Sequence, residues 1–514
     1  MLLVVLLLQS CGRQEANSGC SFSLDYYKTL GTASYRVDSR VVRESIRRII
    51  KSDADSMVAD KQAKSYYLKG NSFVWIDRLG VDSRADTLLA YLRTVEADGL
   101  SANRFCVGLI EADLNRMRTL DFDSCGNDIN HVAGRLEYRL TKAFLRFAMG
   151  YRYGFVNPFD VFNRLDPKDD DSVYVSYHQL FDIRMQLPKK GFCKSLLRLP
   201  SADSLGTFLA SLKPQNPLYY TLCERLALPS LTRLQREKIL VNMERCRWRL
   251  DDYPHLHDRY VLVNIPSFML RAVDGDSIFE MKIGCGSLKT KTPLLTSRIK
   301  RMDLNPQWII PKSIIRNNIV RHVGSESYFS SHRYFIRERK TGKKMAPEDV
   351  SAQMLLSGDY LVIQEGGAGN ALGRIIFRFD NNFSVYLHDT SSPSVFSRAD
   401  RGVSHGCVRV ERPMDLARYL LAEQADGIIE KLFYTVTADV SPLGKKRAEM
   451  TAEQAAVADT LRKNMLVKSL NVEPPVPLYI TYYTLYPSSD GTLADLPDVY
   501  GYDKVIAKYL RNYL

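Results

Sequence analysis

The sequence lacks most of the features that assign a class quickly. Outside its first residues, no stretch approaches the ~20 consecutive apolar residues of a membrane-spanning helix. None of its nine cysteines (Cys11, Cys20, Cys106, Cys125, Cys193, Cys223, Cys246, Cys285 and Cys407) stands in a C-x-x-C pair. That removes the usual zinc-ligand spacing, and neither a metal nor a cofactor is expected. Setting aside Cys11 and Cys407 leaves an odd number, so at least one thiol stays free and no disulfide framework is evident. Most of them read as small buried hydrophobes. No internal repeat or low-complexity tract is present. No zinc-finger, basic-zipper or RNA-recognition pattern accompanies the positive charge, so nucleic acid is not an expected partner.

What is present is ordinary in amount and uneven in arrangement. A chain of 514 residues accommodates about two to four domains. Hydrophobic residues at 45% and charged residues at 25% are typical of a globular protein. The net charge of +13 suits an anionic partner, but most basic residues are interspersed with acids, as on any solvated surface. Met1 to Leu8 form an apolar run of the kind found in secretory signals. Leu8-Gln9-Ser10-Cys11 follows and resembles a bacterial lipobox, in which the cysteine is lipidated, although Gln9 fits poorly and no Lys or Arg precedes the run. An ordinary secretory signal is the other reading. Both predict export, to the bacterial periplasm or cell envelope. The lipobox adds a membrane anchor at Cys11.

Residues 25–245 read mainly as helices. Val42, Ile46, Ile49 and Ile50 share a helical face, as do Leu88, Leu92 and Val95, and then Leu136, Leu140, Phe144, Phe147 and Tyr151. These stripes read as core, and no catalytic constellation lies among them. Near residue 250 the period changes. Tyr260–Ile265, Ser277–Ile283, Tyr360–Gln364, Arg374–Phe379 and Ser384–His388 read as strands, and Asp274-Gly275 reads as a turn. Helices are expected at about 412–423 and 451–466. Residues 300–350 are polar, basic and irregular, as in a lid or binding loop. The fold class is therefore α+β.

The chemistry concentrates in Tyr386-Leu387-His388-Asp389-Thr390 and Arg401-Gly402-Val403-Ser404-His405-Gly406-Cys407-Val408-Arg409. A strand ends on His388, and downstream a cysteine follows a glycine that permits close backbone approach. A thiol with a free pKa of ~8.5 needs a base to become a nucleophile at neutral pH. His388 and His405 are both available. Backbone N–H groups of Gly406 and Cys407 are candidate oxyanion donors, each worth ~3 kcal/mol. The set is an acyl-transfer kit.

His388, then Ser404-His405-Gly406-Cys407 followed by Val408-Arg409, resembles the signature of the L,D-transpeptidase (YkuD-type) catalytic domain. Gly369-Asn370-Ala371-Leu372-Gly373, Val241-Asn242-Met243-Glu244-Arg245, Val263-Asn264-Ile265-Pro266 and Asn305-Pro306-Gln307-Trp308-Ile309-Ile310-Pro311 resemble its long, scaffold-bearing YcbB-like branch. So do Ala97-Asp98-Gly99-Leu100, Pro475-Val476-Pro477 and Tyr482-Tyr483-Thr484. The resemblance implies a β-rich catalytic domain acting on peptidoglycan stem peptides. Cys407 would attack the carbonyl of the diamino acid at stem position three and release D-alanine. The resulting thioester would pass to the side-chain amine of a second stem, giving a 3→3 cross-link. His388 matches the general base, its other ring nitrogen held by a backbone carbonyl near Asp389. His405 would tune the site. Arg409, Ser404, Tyr386 and Asn370 are expected to contact substrate. Family members are also acylated by carbapenems at the nucleophile. The same thioester would serve an L,D-carboxypeptidase or a protein-anchoring transferase, and an inactive envelope-binding protein could keep the fold.

The expected domains are a signal and tether at 1–20, a helical scaffold at 21–235, the catalytic domain at 236–445 with a capping loop at about 312–370, and a C-terminal helix and returning segment at 446–514. Members of the branch often carry a small peptidoglycan-binding module within the scaffold. The stretch between Tyr220 and Arg236 is too short for one, and 155–200 shows no readable module.

Overall fold

The computed structural model describes residues 38–514 apart from 78–79, 124–125, 169–174, 190, 199–201 and 422–425. The signal, the tether and Cys11, as well as Cys20 and Cys125, lie outside the described residues. The chain divides into two compact units. One comprises 1–161, 185–251 and 501–514, and the other 162–184 and 252–500. The expected scaffold segment thus gives up 162–184 to the second unit, and the expected C-terminal segment divides between the two.

The first unit is helical. Its long central helix α3 (Ile129–Tyr153) packs against α1 (Ser39–Ser52), α2 (Val58–Leu68) and others. The predicted stripes are core: Val42, Ile46, Leu88, Leu92, Leu136, Leu140 and Phe144 are all buried. Asp38 and Asp128 cap α1 and α3, each side chain accepting from the first-turn amides. Through this apolar core runs an ionic ladder. Lys142 Nζ meets Asp53 and Asp55 at 2.6 and 2.7 Å, and Arg146 meets Asp55 and Asp60 at 2.6 Å each. Buried charges persist only when paired in this way.

The second unit is built on a closed barrel. Its strands are β1 (Phe181–Asp182), β2 (Arg259–Asn264), β3 (Met269–Asp274), β4 (Ser277–Gly286), β5 (Leu294–Leu304), β6 (Trp308–Ile309), β7 (Tyr334–Glu338), β8 (Lys344–Met345), β9 (Tyr360–Gln364), β10 (Ile375–Phe379), β11 (Leu387–His388), β12 (Gly402–Ser404), β13 (Val408–Val410) and β14 (Ser469–Thr481). The ring runs β10-β11-β13-β4-β3-β2-β14-β5 and returns to β10. Strand β1 lies parallel to β5, and β12 lies parallel to β4. Closure leaves no free ladder edge on the main ring. Val261, Val263, Leu270, Ile283, Ile299, Met302, Phe377, Leu387, Leu478 and Ile480 alternate inward and are buried.

Strand β14 is absent from the predicted set, because Pro474, Pro475 and Pro477 argue against an internal strand. The structure accommodates Pro474 and Pro475 with a register shift between Asn471 and Val476, and the ladder to β5 resumes at Val476 with Pro477 opposite Arg298. The segment expected as a long loop is a folded subdomain. Strands β8-β7-β9-β6 form a sheet over its own core of Ile310, Ile315, Ile319, Phe329, Ile336, Val350, Leu355 and Val362. Those apolar residues converge in space from short elements of mixed type, so no single period marks them in sequence.

Candidate active site

Strands β11 and β13 run side by side in parallel, with Leu387 opposite Val408 and His388 opposite Arg409. Leu387, Val408 and Val410 face the barrel core. The two-residue alternation therefore puts Tyr386, His388, Cys407 and Arg409 together on the other face. The Val408 amide donates to the Tyr386 carbonyl at 2.9 Å, which continues this register back to the residues beside Cys407. The charge of Arg409 acts on both the Cys407 thiol and the His388 imidazole, as the shared face requires.

His388 is 4% exposed. Its Nδ1 lies 2.5 Å from the Asp389 carbonyl oxygen, so Nδ1 carries the proton and Nε2 is left as the basic nitrogen. Burial depresses its pKa from 6.5 to about 4, helped by the Arg409 charge and opposed by hydrogen bonding to the Asp389 and Leu372 backbones. Asp389 is itself fixed. Its carboxylate accepts from the Arg374 and Thr390 amides, both at 2.7 Å. Gly373 leaves room for it, since a Cβ there would come 2.3 Å from the Asp389 carboxyl carbon.

Cys407 is half-buried and free. Burial pushes its thiol up, while a Tyr386 backbone hydrogen bond and the Arg409 and Arg378 charges pull it down. At rest the site therefore holds a neutral thiol and a neutral imidazole. Arg409 is half-buried, forms no ion pair among the described residues, and has a buried Nε without a partner. An unpaired guanidinium beside a candidate nucleophile is suited to a substrate carboxylate. Tyr386 is half-buried beside Cys407, its ring 4.4 Å below the Arg378 guanidinium, which in turn pairs with Asp303 at 2.7 Å.

The remaining expected site residues sit differently. Ser404 is buried and its hydroxyl is engaged. It donates to the Cys407 carbonyl at 2.5 Å and accepts from the Gly406 amide at 3.1 Å. It shapes the turn and has no donor left for substrate. For the same reason Gly406 is not an oxyanion donor, whereas the Cys407 amide has no acceptor among the described residues. Gly406 has φ +113, a region open to glycine. His405 is exposed on the crest of the turn and makes no hydrogen bond or ion pair among the described residues. Asn370 is wholly buried. Its Nδ2 donates to Pro306 and Glu365 carbonyls at 3.1 and 2.8 Å, and its Oδ1 accepts from the Leu372 amide at 2.8 Å. It ties the loop beside His388 and does not reach substrate.

A strap over the turn was not legible in the sequence. Thr290 Oγ1 donates to the Ser404 carbonyl at 2.7 Å, and Thr292 Oγ1 donates to the Gly406 carbonyl at 2.8 Å. Tyr500 joins it through the Thr292 amide at 3.1 Å. Thr290 and Thr292 lie far before Cys407 in the chain and Tyr500 far after it, and no local pattern connects them. Among the described residues no cluster of three or more His, Cys, Asp or Glu side chains could hold a metal, and no helix is long and apolar enough to cross a membrane.

Comparison with known proteins agrees with the geometry. Residues 258–437 match the sequence model of the L,D-transpeptidase catalytic domain (YkuD), and residues 60–226 match that of a scaffold domain. A curated protein of Haemophilus influenzae, named "Putative L,D-transpeptidase", is 26% identical over 330 residues. The match covers 62% of this chain and 60% of that protein's length. The chain therefore carries an L,D-transpeptidase (YkuD) catalytic domain, β-rich, after a helical scaffold domain.

Proposed function

We propose that the protein is a peptidoglycan L,D-transpeptidase that forms 3→3 cross-links through a thioester on Cys407. The observation that carries this reading is a buried, neutral imidazole and a neutral thiol on one sheet face beside an unpaired arginine. In the first half-reaction Cys407 Sγ attacks the carbonyl carbon of the third stem residue while its proton passes to His388 Nε2. The carbonyl oxygen becomes an oxyanion facing the Cys407 amide. Collapse breaks the C–N bond to D-alanine, whose nitrogen takes the proton back from His388. In the second half-reaction the side-chain amine of another stem attacks the thioester, loses a proton to His388, and releases the thiol. Arg409 holds a stem carboxylate through both steps.

Acceptor choice is tested by mass spectrometry of tetrapeptide muropeptides incubated with the protein. A dimer lacking D-alanine is expected. A trimmed monomer alone would make the enzyme a carboxypeptidase, and transfer only to a protein amine would make it an anchoring enzyme. A carbapenem is expected to add one adduct at Cys407, and Cys407→Ala is expected to lose both adduct and product. Absence of any adduct on the unaltered chain would favour an inactive envelope-binding protein. We also place the protein in the bacterial envelope, tethered by lipid at Cys11. Fatty-acid labelling of the full chain should disappear in Cys11→Ala.

A further inference from the structure

An oxyanion at the acyl carbon needs donors whose direction is set before the reaction, since reorganisation during attack raises the barrier. The turn holds one free backbone donor at the nucleophile itself, the Cys407 amide, because the Gly406 amide is taken by Ser404. A lone donor makes its aim matter more. In a trans peptide the N–H of one residue points opposite to the carbonyl of the residue before it, so whatever holds the Gly406 carbonyl fixes the Cys407 N–H.

Thr292 holds that carbonyl. It is fully buried, and its Oγ1 both donates to the Gly406 oxygen and accepts from the Gly286 amide, each at 2.8 Å. A hydroxyl has one proton to give, so the Gly286 contact directs that proton at Gly406. The Thr292 amide donates to the Tyr500 phenol at 3.1 Å, and that phenol donates to the Gly286 carbonyl at 2.7 Å. Strand and strap are therefore locked to each other on both sides of the hydroxyl. Gly286 permits this closeness: a Cβ there would lie 2.1 Å from the Thr290 carbonyl oxygen.

We propose that Thr292 is a positioning residue for acyl transfer, acting through the Gly406–Cys407 peptide to aim the Cys407 amide at the oxyanion. The inference rests on the reading of Cys407 as the acylated nucleophile. Two reactions of the same sulfur in the full chain test it. Iodoacetamide alkylates the thiol by displacing iodide and creates no oxyanion. A carbapenem acylates it through a tetrahedral oxyanion. Thr292→Val removes the hydroxyl at nearly constant volume. It should leave alkylation within about twofold of wild type and slow the maximal acylation rate about 10- to 100-fold, with little change in half-saturating concentration. Thr292→Ser, which keeps the hydroxyl, should restore most of the acylation rate. Tyr500→Phe should lower acylation relative to alkylation in the same sense by a smaller factor, and serves if Thr292→Val does not fold. Unaltered acylation in Thr292→Val, an equal fall in both reactions, or no recovery in Thr292→Ser would overturn the proposal. A wild-type sulfur that alkylates but never acylates would instead overturn the transpeptidase reading on which it rests.

Discussion

At the scale of single residues, the site is set by where burial leaves protons. An imidazole held near 4 stays neutral through most of the acid range, so the acylation rate should hold down to about pH 4 to 5 and fail below it. Rates across pH, read by adduct mass, check this. A rate that halves near 6.5 would mean the ring is not desolvated. The same shift has a stability consequence. The unfolded chain takes a proton on this histidine as pH falls through 6.5, and the folded chain does so only near 4. Stability is therefore lost between those values, by up to about 3 kcal/mol from this group. Buried Glu137 and Glu244, both raised to about 7 by desolvation, pull in the other direction. The comparison that isolates the histidine is wild type against His388→Gln. The variant's denaturant midpoint should fall less between pH 7 and 4.5. His388 and Cys407 were legible in the sequence as a candidate pair, because a histidine and a cysteine at this spacing are written in one short stretch. The sequence carried no sign of which backbone donor is free, since Ser404 takes the Gly406 amide only once the turn is closed.

At the scale of elements, the loop 365–373 is held as firmly as a strand. Asn370 satisfies two backbone groups inside it and the Pro306 carbonyl outside it, and Gln364 binds its Ala371 amide at 2.8 Å while reaching the His332 carbonyl of the capping subdomain at 3.2 Å. Asn370→Ala would leave those buried groups unpaired and should destabilise the protein by about 2–4 kcal/mol. Acylation should slow as well, because the Leu372 backbone beside His388 loses its anchor. Thermal melting and adduct kinetics measure the two effects. Gly286→Ala should be more severe than a surface Gly→Ala change, since the new methyl meets backbone 2.1 Å away and a strap cannot yield as a side-chain tip does. Apart from the strand at Tyr360–Gln364, the capping segment was legible only as an interruption of the strand pattern. Its own sheet and core come from eight apolar residues spread over more than fifty positions in short helices and strands, too mixed for any one period.

At the scale of the whole molecule, the catalytic unit is discontinuous in sequence. Strand β14 lies between β2 and β5 in the ring, β1 borders β5, and Tyr500 closes the strap. Asp166 also meets Lys291 of that strap in an ion pair. A fragment cut to residues 258–437, the span that matches the catalytic-domain family, lacks all of these. It should be insoluble or unfolded and should take no carbapenem, because an opened barrel exposes two strand edges. A fragment carrying 252–500 regains β14 and Tyr500 and should show β-type circular dichroism. A well-folded 258–437 fragment would mean the ring does not need its last strand.

The sequence by itself determined the class of the fold and the change from helix to strand near residue 250, and it singled out the proposed nucleophile and base. Each of these rests on local information: a hydrophobic period, a turn signal, a short motif of reactive side chains. Only the tertiary structure decided which donors and acceptors are already engaged, which expected substrate contacts are turn and loop ties, that a proline-rich segment completes the barrel, and that Thr292 holds the Gly406 carbonyl while Tyr500 holds Thr292. Those depend on groups brought together from distant positions, where occupancy of a hydrogen bond is settled by burial and packing and leaves no trace in the spacing of residues.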